Sequence, residues 1–240
     1  MSTTVTVTSS PAGSRKLVAP VWHTIGLLLL IAAPLVAGVR LQTRAGSPGQ
    51  IFSKNISLYF SVQALAYEFV LIGYTWWGVR KNGGRIRDLI GGRWKRWTNI
   101  LADVGLGLAL LLAFQVMIQV LVRILPASHA KSISSILPNT QVEILLWILL
   151  SITAGFVEEI VLRGYLQMQL ACLGAPMALA TLGQALIFGA GHSYEGFHSV
   201  IFISVFGILA GLLAAWRKSL RPGIIGHALT DLLVLLQRAR

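Results

Sequence analysis

The alternation of apolar and polar positions divides the chain into seven apolar runs, 17–39, 56–79, 100–125, 141–173, 176–191, 197–216 and 222–236. Each run is continuous rather than alternating, which predicts helices and excludes the strand pattern of a membrane barrel. A helix crossing a hydrocarbon core of ~30 Å needs about 20 apolar residues. The run 141–173 exceeds what one upright crossing needs, so six to eight spans are expected, with seven the central value. Short breaks at "GAP", "GHSYEG" and "RKSLRPG" separate the last four runs. The fold class implied is all-α, a polytopic transmembrane helical bundle.

The polar breaks define the organisation. Residues 1–16 form a polar N-terminal tail ending in Arg15 and Lys16. The run after them resembles a signal peptide, but it is longer than an ordinary h-region and is read as a retained first span. The second run ends in "TWWGVR", where Trp76 and Trp77 suit an interfacial belt. Residues 80–97, "RKNGGRIRDLIGGRWKRW", carry seven basic residues against one acid and mark the cytoplasmic side. Trp94 and Trp97 suit a segment lying on the lipid surface. A polar stretch at 126–140, with Pro126 and Pro138, then falls on the outer side. The chain thus reads as the tail, N-terminal spans over 17–140, and a denser helical core over 141–236, without an internal repeat.

Composition agrees. Apolar residues make up 55% of the 240 and charged residues 12%, about half the charge of a soluble domain. The net charge of +12 raises nucleic acid as a partner, but the basic residues gather between the runs rather than on one face. The lipid bilayer is the partner expected instead, with the protein integral to a bacterial cytoplasmic membrane. Cys172 is the only cysteine, which excludes a disulfide framework and a cysteine-based zinc site.

Five of the eight acidic residues, Glu68, Asp103, Glu158, Glu159 and Asp231, lie in or beside apolar runs. Ionisable groups there are costly unless paired or solvated, and so mark candidate sites. Glu68 and Asp103 stand alone in sequence and read as members of interhelical ion pairs. "GFVEEIVLRGY" differs, because Glu159 and Arg163 are four apart and share a helix face. Glu158 is rotated about 100° from Glu159 and is left for another neighbour. That makes Glu158 the candidate general base and Glu159 the anchor; a kink at this point would reverse the two. Downstream, "FGAGH" places Phe188 four residues before His192, with Gly189 and Gly191 permitting close backbone approach. "HALTD" places His227 four residues before Asp231, an arrangement in which a carboxylate fixes an imidazole tautomer. His23, His129 and His198 read as polar contacts near the membrane interface. By helical rise His227 lies ~9 Å from the cytoplasmic loop, whereas His192, at the end of its run, is expected nearer the outer side.

The ordered set Glu158-Glu159-x3-Arg163, Phe188-x3-His192 and His227-x3-Asp231 resembles the CPBP family of intramembrane proteins, the type II CAAX prenyl endopeptidases and their Abi bacteriocin-processing and immunity relatives. The resemblance covers 141–236, and it is the ordered triple rather than any single motif that carries it. It implies peptide-bond hydrolysis within the membrane, on a membrane-associated protein or peptide. Carried over residue by residue, Glu158 and His192 activate a water, His227 and Asp231 form the oxyanion site, and Glu159, Arg163 and Phe188 shape it. The family's last position is often Asn; an ionised Asp231 cannot donate to an oxyanion, so it either orients His227 or is protonated. Glu158, His192 and His227 are also a possible zinc donor set, but there is no HExxH, and a site without cofactor is expected. Two other readings stand beside the protease: a non-catalytic immunity or membrane-partner protein on the same scaffold, and a proton-coupled transporter, which the missing inverted repeat disfavours.

Overall fold

In the computed structural model the described residues are 16–45, 56–125 and 136–239, and all regular structure among them is helical. The polar tail before Lys16, His129 and most of the polar stretch 126–140 lie outside the described residues. Every apolar run becomes a helix: α1 (Val21–Ala45), α2 (Ile56–Lys81), α4 (Trp97–Ile124), α5 (Gln141–Glu158), α7 (Met177–Gly191), α8 (Phe197–Arg217) and α9 (Arg221–Leu233). A short α3 (Ile86–Ile90) lies within the basic segment. From Glu159 to Gln167 the chain continues out of α5 as a π-helical segment, and α6 (Met168–Cys172) completes the run.

Local chemistry sets the boundaries. α5 begins after a capping box: Thr140 Oγ1 accepts from the Glu143 amide, and the Glu143 carboxylate accepts from the Thr140 and Asn139 amides. Two of the amides that a helix start leaves unpaired, those of Thr140 and Glu143, are thereby satisfied. The "LGAP" break ends α6 because Gly174 takes a positive φ of 104°, and Pro176 then holds extended backbone before α7.

Among the described residues four helices are long and apolar enough to cross a membrane: Ile56–Lys81, Trp97–Ile124, Gln141–Cys172 and Phe197–Arg217. α7, at 15 residues, and α9, at 13, are shorter. Large apolar side chains, among them Phe69, Leu112, Val116, Leu145 and Leu186, face outward around the bundle. Such a girdle would be a liability in water but matches lipid tails. The molecule is a helical membrane bundle.

Helical rise relates the level of His192 to that of Glu158. The 32 residues of Gln141–Cys172 extend ~48 Å, so α7 starts well past the level of Glu158, which lies ~26 Å along that run. α7 returns antiparallel for ~22 Å and delivers His192 back to about the depth of Glu158.

The two halves of the chain share one core. α2 packs against α5, α4 lies along α9, and α7 pairs with α8. At the basic end, the Leu220 amide donates to Ile90 O at 3.1 Å, and Arg221 donates to Gly92 O and stacks over Trp94. Trp94 is thus an anchor as well as a surface residue: its Nε1–H donates to Asp103 at 2.7 Å. Asp103 also pairs with Arg217 at 2.9 Å, the interhelical ion pair expected of it.

Candidate active site

The site forms where α5 gives way to its π-helical continuation. All nine residues of that segment are buried, and π segments recur at functional sites because they re-aim the side chains around them. Glu159 and Arg163 pair at 3.0 Å with both side chains fully sealed from solvent. The guanidinium lies over the Phe188 ring at 4.5 Å and near Phe206 at 5.8 Å. A buried cation is therefore held by one carboxylate and two π faces, and removing any of these leaves a desolvated charge.

Glu158 is placed differently. Its side chain is 19% exposed, and its Oε2 lies 3.5 Å from His227 Nε2. His227 is buried between three carboxylates, with Nδ1 3.2 Å from Glu159 Oε1 and Nε2 3.7 Å from Asp231 Oδ2. A ring flanked in this way donates at Nδ1 to Glu159, which fixes its orientation and turns Nε2 toward Glu158 and Asp231. Asp231 stands at the open edge, 34% exposed, and its backbone carbonyl accepts from Trp147 Nε1 at 3.3 Å. That bond fixes the level of α9 against α5.

His192 approaches from α7. Its Nδ1 is 3.0 Å from Phe188 O, and donation there leaves Nε2 with a lone pair. Its ring meets Phe188 edge-on at 5.0 Å, and Phe188 in turn meets His227 at 5.6 Å. His192 and Asp231 are within electrostatic reach of each other. Among the described residues no hydrogen bond or ion pair joins His192 to Glu158 or His227. Phe188 is therefore the shared floor of the site, touching Arg163, His192 and His227.

The sequence reading missed two features. Glu68, expected in an ion pair, is buried on α2 and faces Glu158, a second carboxylate rather than a cation. Nothing in its local sequence announces this, because the contact depends on which helices become neighbours. His23 is not an interfacial contact but fully buried: Nε2–H donates to Tyr74 O at 2.9 Å, and Nδ1 accepts from the Tyr165 hydroxyl at 2.8 Å. Of the two glycines expected at a close approach, Gly189 abuts Ser204 and the Val200 carbonyl, whereas Gly191 borders open space.

Among the described residues no three His, Cys, Asp or Glu side chains converge so as to hold a metal ion. Both His227 nitrogens already face carboxylates.

Residues 140–233, less than half of the chain, match a protein-family description, "Type II CAAX prenyl endopeptidase Rce1-like". The matched region contains Glu158, Glu159, Arg163, Phe188, His192, His227 and Asp231, and supports the CPBP/CAAX protease family and, at that level, an intramembrane endopeptidase. No curated protein and no solved structure matches the chain.

Proposed function

We propose that this protein is an intramembrane endopeptidase of the bacterial cytoplasmic membrane that hydrolyses a peptide bond of a membrane-associated protein or peptide. The observation that carries the reading is the division between adjacent glutamates: Glu159 is sealed against Arg163, while Glu158 is partly exposed beside His227. A purely structural ion pair needs only the first.

In the reaction, Glu158 takes a proton from a water that the lone pair of His192 Nε2 helps to align. The resulting hydroxide attacks the carbonyl carbon. Charge develops on the carbonyl oxygen and is met by Nε2–H of a doubly protonated His227, whose Nδ1–H is held by Glu159. Collapse breaks the C–N bond, and Glu158 returns its proton to the leaving nitrogen. Asp231, an acceptor when ionised, orients His227 rather than donating to the oxyanion. No step is routed through a metal.

The test is a cleavage assay on a membrane-protein extract with wild type, Glu158→Ala and His192→Ala. Wild type is expected to release peptides that both variants fail to release, a loss of roughly 10²–10⁴-fold for a general base. Identical profiles from all three would sink the protease reading and favour a non-catalytic partner protein. A chelator added to the same assay is expected to leave cleavage unchanged; inhibition reversed by zinc would overturn the metal-free site.

A further inference from the structure

We infer that Glu68, on α2 and outside the region that matches the protease family, is a positioning residue for Glu158, joined to it through one shared proton. The inference rests on the function proposed above. Glu68 is 5% exposed, and its carboxylate lies within hydrogen-bonding range of the Glu158 carboxylate. Its Oε2 is buried without a hydrogen-bond partner, whereas Oε2 of Glu158 faces His227 Nε2 at 3.5 Å.

Two carboxylate oxygens at that separation are both acceptors and repel; a hydrogen bond between them requires a proton on one. Among the described residues no cation pairs with Glu68 to relieve the repulsion instead. The other ionisable groups around Glu68 are Tyr67 and Asp231, and those around Glu158 are His227, Asp231, Arg163, Tyr67 and Tyr194. Arg163 is already engaged by Glu159. Packing of α2 against α5 makes the juxtaposition a fixed feature of the bundle.

The shared proton has a defined use. With one carboxyl oxygen of Glu158 held by Glu68, the other is presented to the water. When Glu158 accepts the water's proton, the pair holds two protons. One passes to the leaving amine as the C–N bond breaks, and the pair returns to its starting state with one. The cycle balances as hydrolysis and needs no further reactant.

Two measurements on the full chain in detergent test this. The first is infrared spectroscopy at neutral pH, which reads the carbonyl stretch of a protonated carboxylic acid and requires no substrate. Wild type is expected to show such a band, lost in Glu68→Gln and shifted in frequency in Glu158→Gln, where Glu68 stays buried but has lost its carboxylate partner. A band absent from wild type, or left unchanged by either substitution, overturns the pairing. The second is turnover, with melting temperature as the control for folding. Glu68→Ala is expected to lower kcat between about ten- and a hundredfold at unchanged KM, the range for losing a hydrogen bond to a charged group. Glu68→Gln, which can still donate to Glu158, is expected to recover most of that rate and to change the pH profile. A folded Glu68→Ala that cleaves at the wild-type rate overturns the positioning role. If instead Glu158→Ala cleaves like wild type, the protease reading fails and the infrared result alone decides the pair.

Discussion

At the scale of single residues, the two glutamates of "VEEI" show how adjacent side chains of one chemistry are driven apart in role. Glu159 and Arg163 are both sealed, so each depends on the other to offset desolvation. Removing one member of a buried pair typically costs about 3–5 kcal/mol, because the survivor is left as an uncompensated charge. Arg163→Met is therefore expected to destabilise the protein by about that amount in a detergent unfolding titration. The double variant Glu159→Gln/Arg163→Met removes the stranded carboxylate and is expected to recover a large part of the loss. A double variant no more stable than Arg163→Met alone would show that packing against Phe188 and Phe206, not charge, explains the effect.

At the scale of helices, catalytic geometry depends on how closely α5 and α9 approach. A Cβ added at Gly155 would lie 2.8 Å from the Ala228 backbone nitrogen and 3.0 Å from its Cβ. Those atoms belong to α9 itself and cannot rotate away, so the helix must move. Ala228 follows His227 directly, and Gly155 sits one turn before Glu158. Gly155→Val is thus expected to widen the separation of Glu158 and His227. Cleavage should fall by about a hundredfold, the sensitivity of catalysis to misplacements near 1 Å, while helicity by circular dichroism stays at the wild-type level. Wild-type turnover in a folded Gly155→Val would remove this contact from the account of the site. The helices themselves were legible, because a run of apolar residues states its own length. The i, i+4 pairs were legible for the same reason: Glu159–Arg163, Phe188–His192 and His227–Asp231 each lie on one helix. What was not legible depends on neighbours or on backbone departures from α geometry. Glu68 meets Glu158 only once α2 settles on α5, and nothing in "EEIVLRG" signals a π-helical turn.

At the scale of the whole molecule, the N-terminal helices are fastened to the core by a few polar contacts within an otherwise apolar bundle. Gln169 Oε1 accepts from the Val18 amide at 2.8 Å and the Ala19 amide at 3.1 Å, and its Nε2 donates to Ala19 O at 2.8 Å. One turn away, the Tyr165 hydroxyl meets His23 at 2.8 Å and Thr24 at 3.0 Å. These five contacts tie the start of α1 to the end of the run that carries Glu158. Gln169 is fully buried, so Gln169→Leu leaves two amides and a carbonyl without partners, at about 1–3 kcal/mol for each group that water cannot reach. The expected result is local: α1 loosens at its start, while α5, α7 and α9 keep the packing that holds Glu158, His192 and His227. Hydrogen exchange should then accelerate at residues 18–24 and stay at the wild-type rate through 141–172 and 221–233. Acceleration spread evenly over both regions would mean that α1 is part of one cooperative unit with the site, and the idea of a separable fastening would fall.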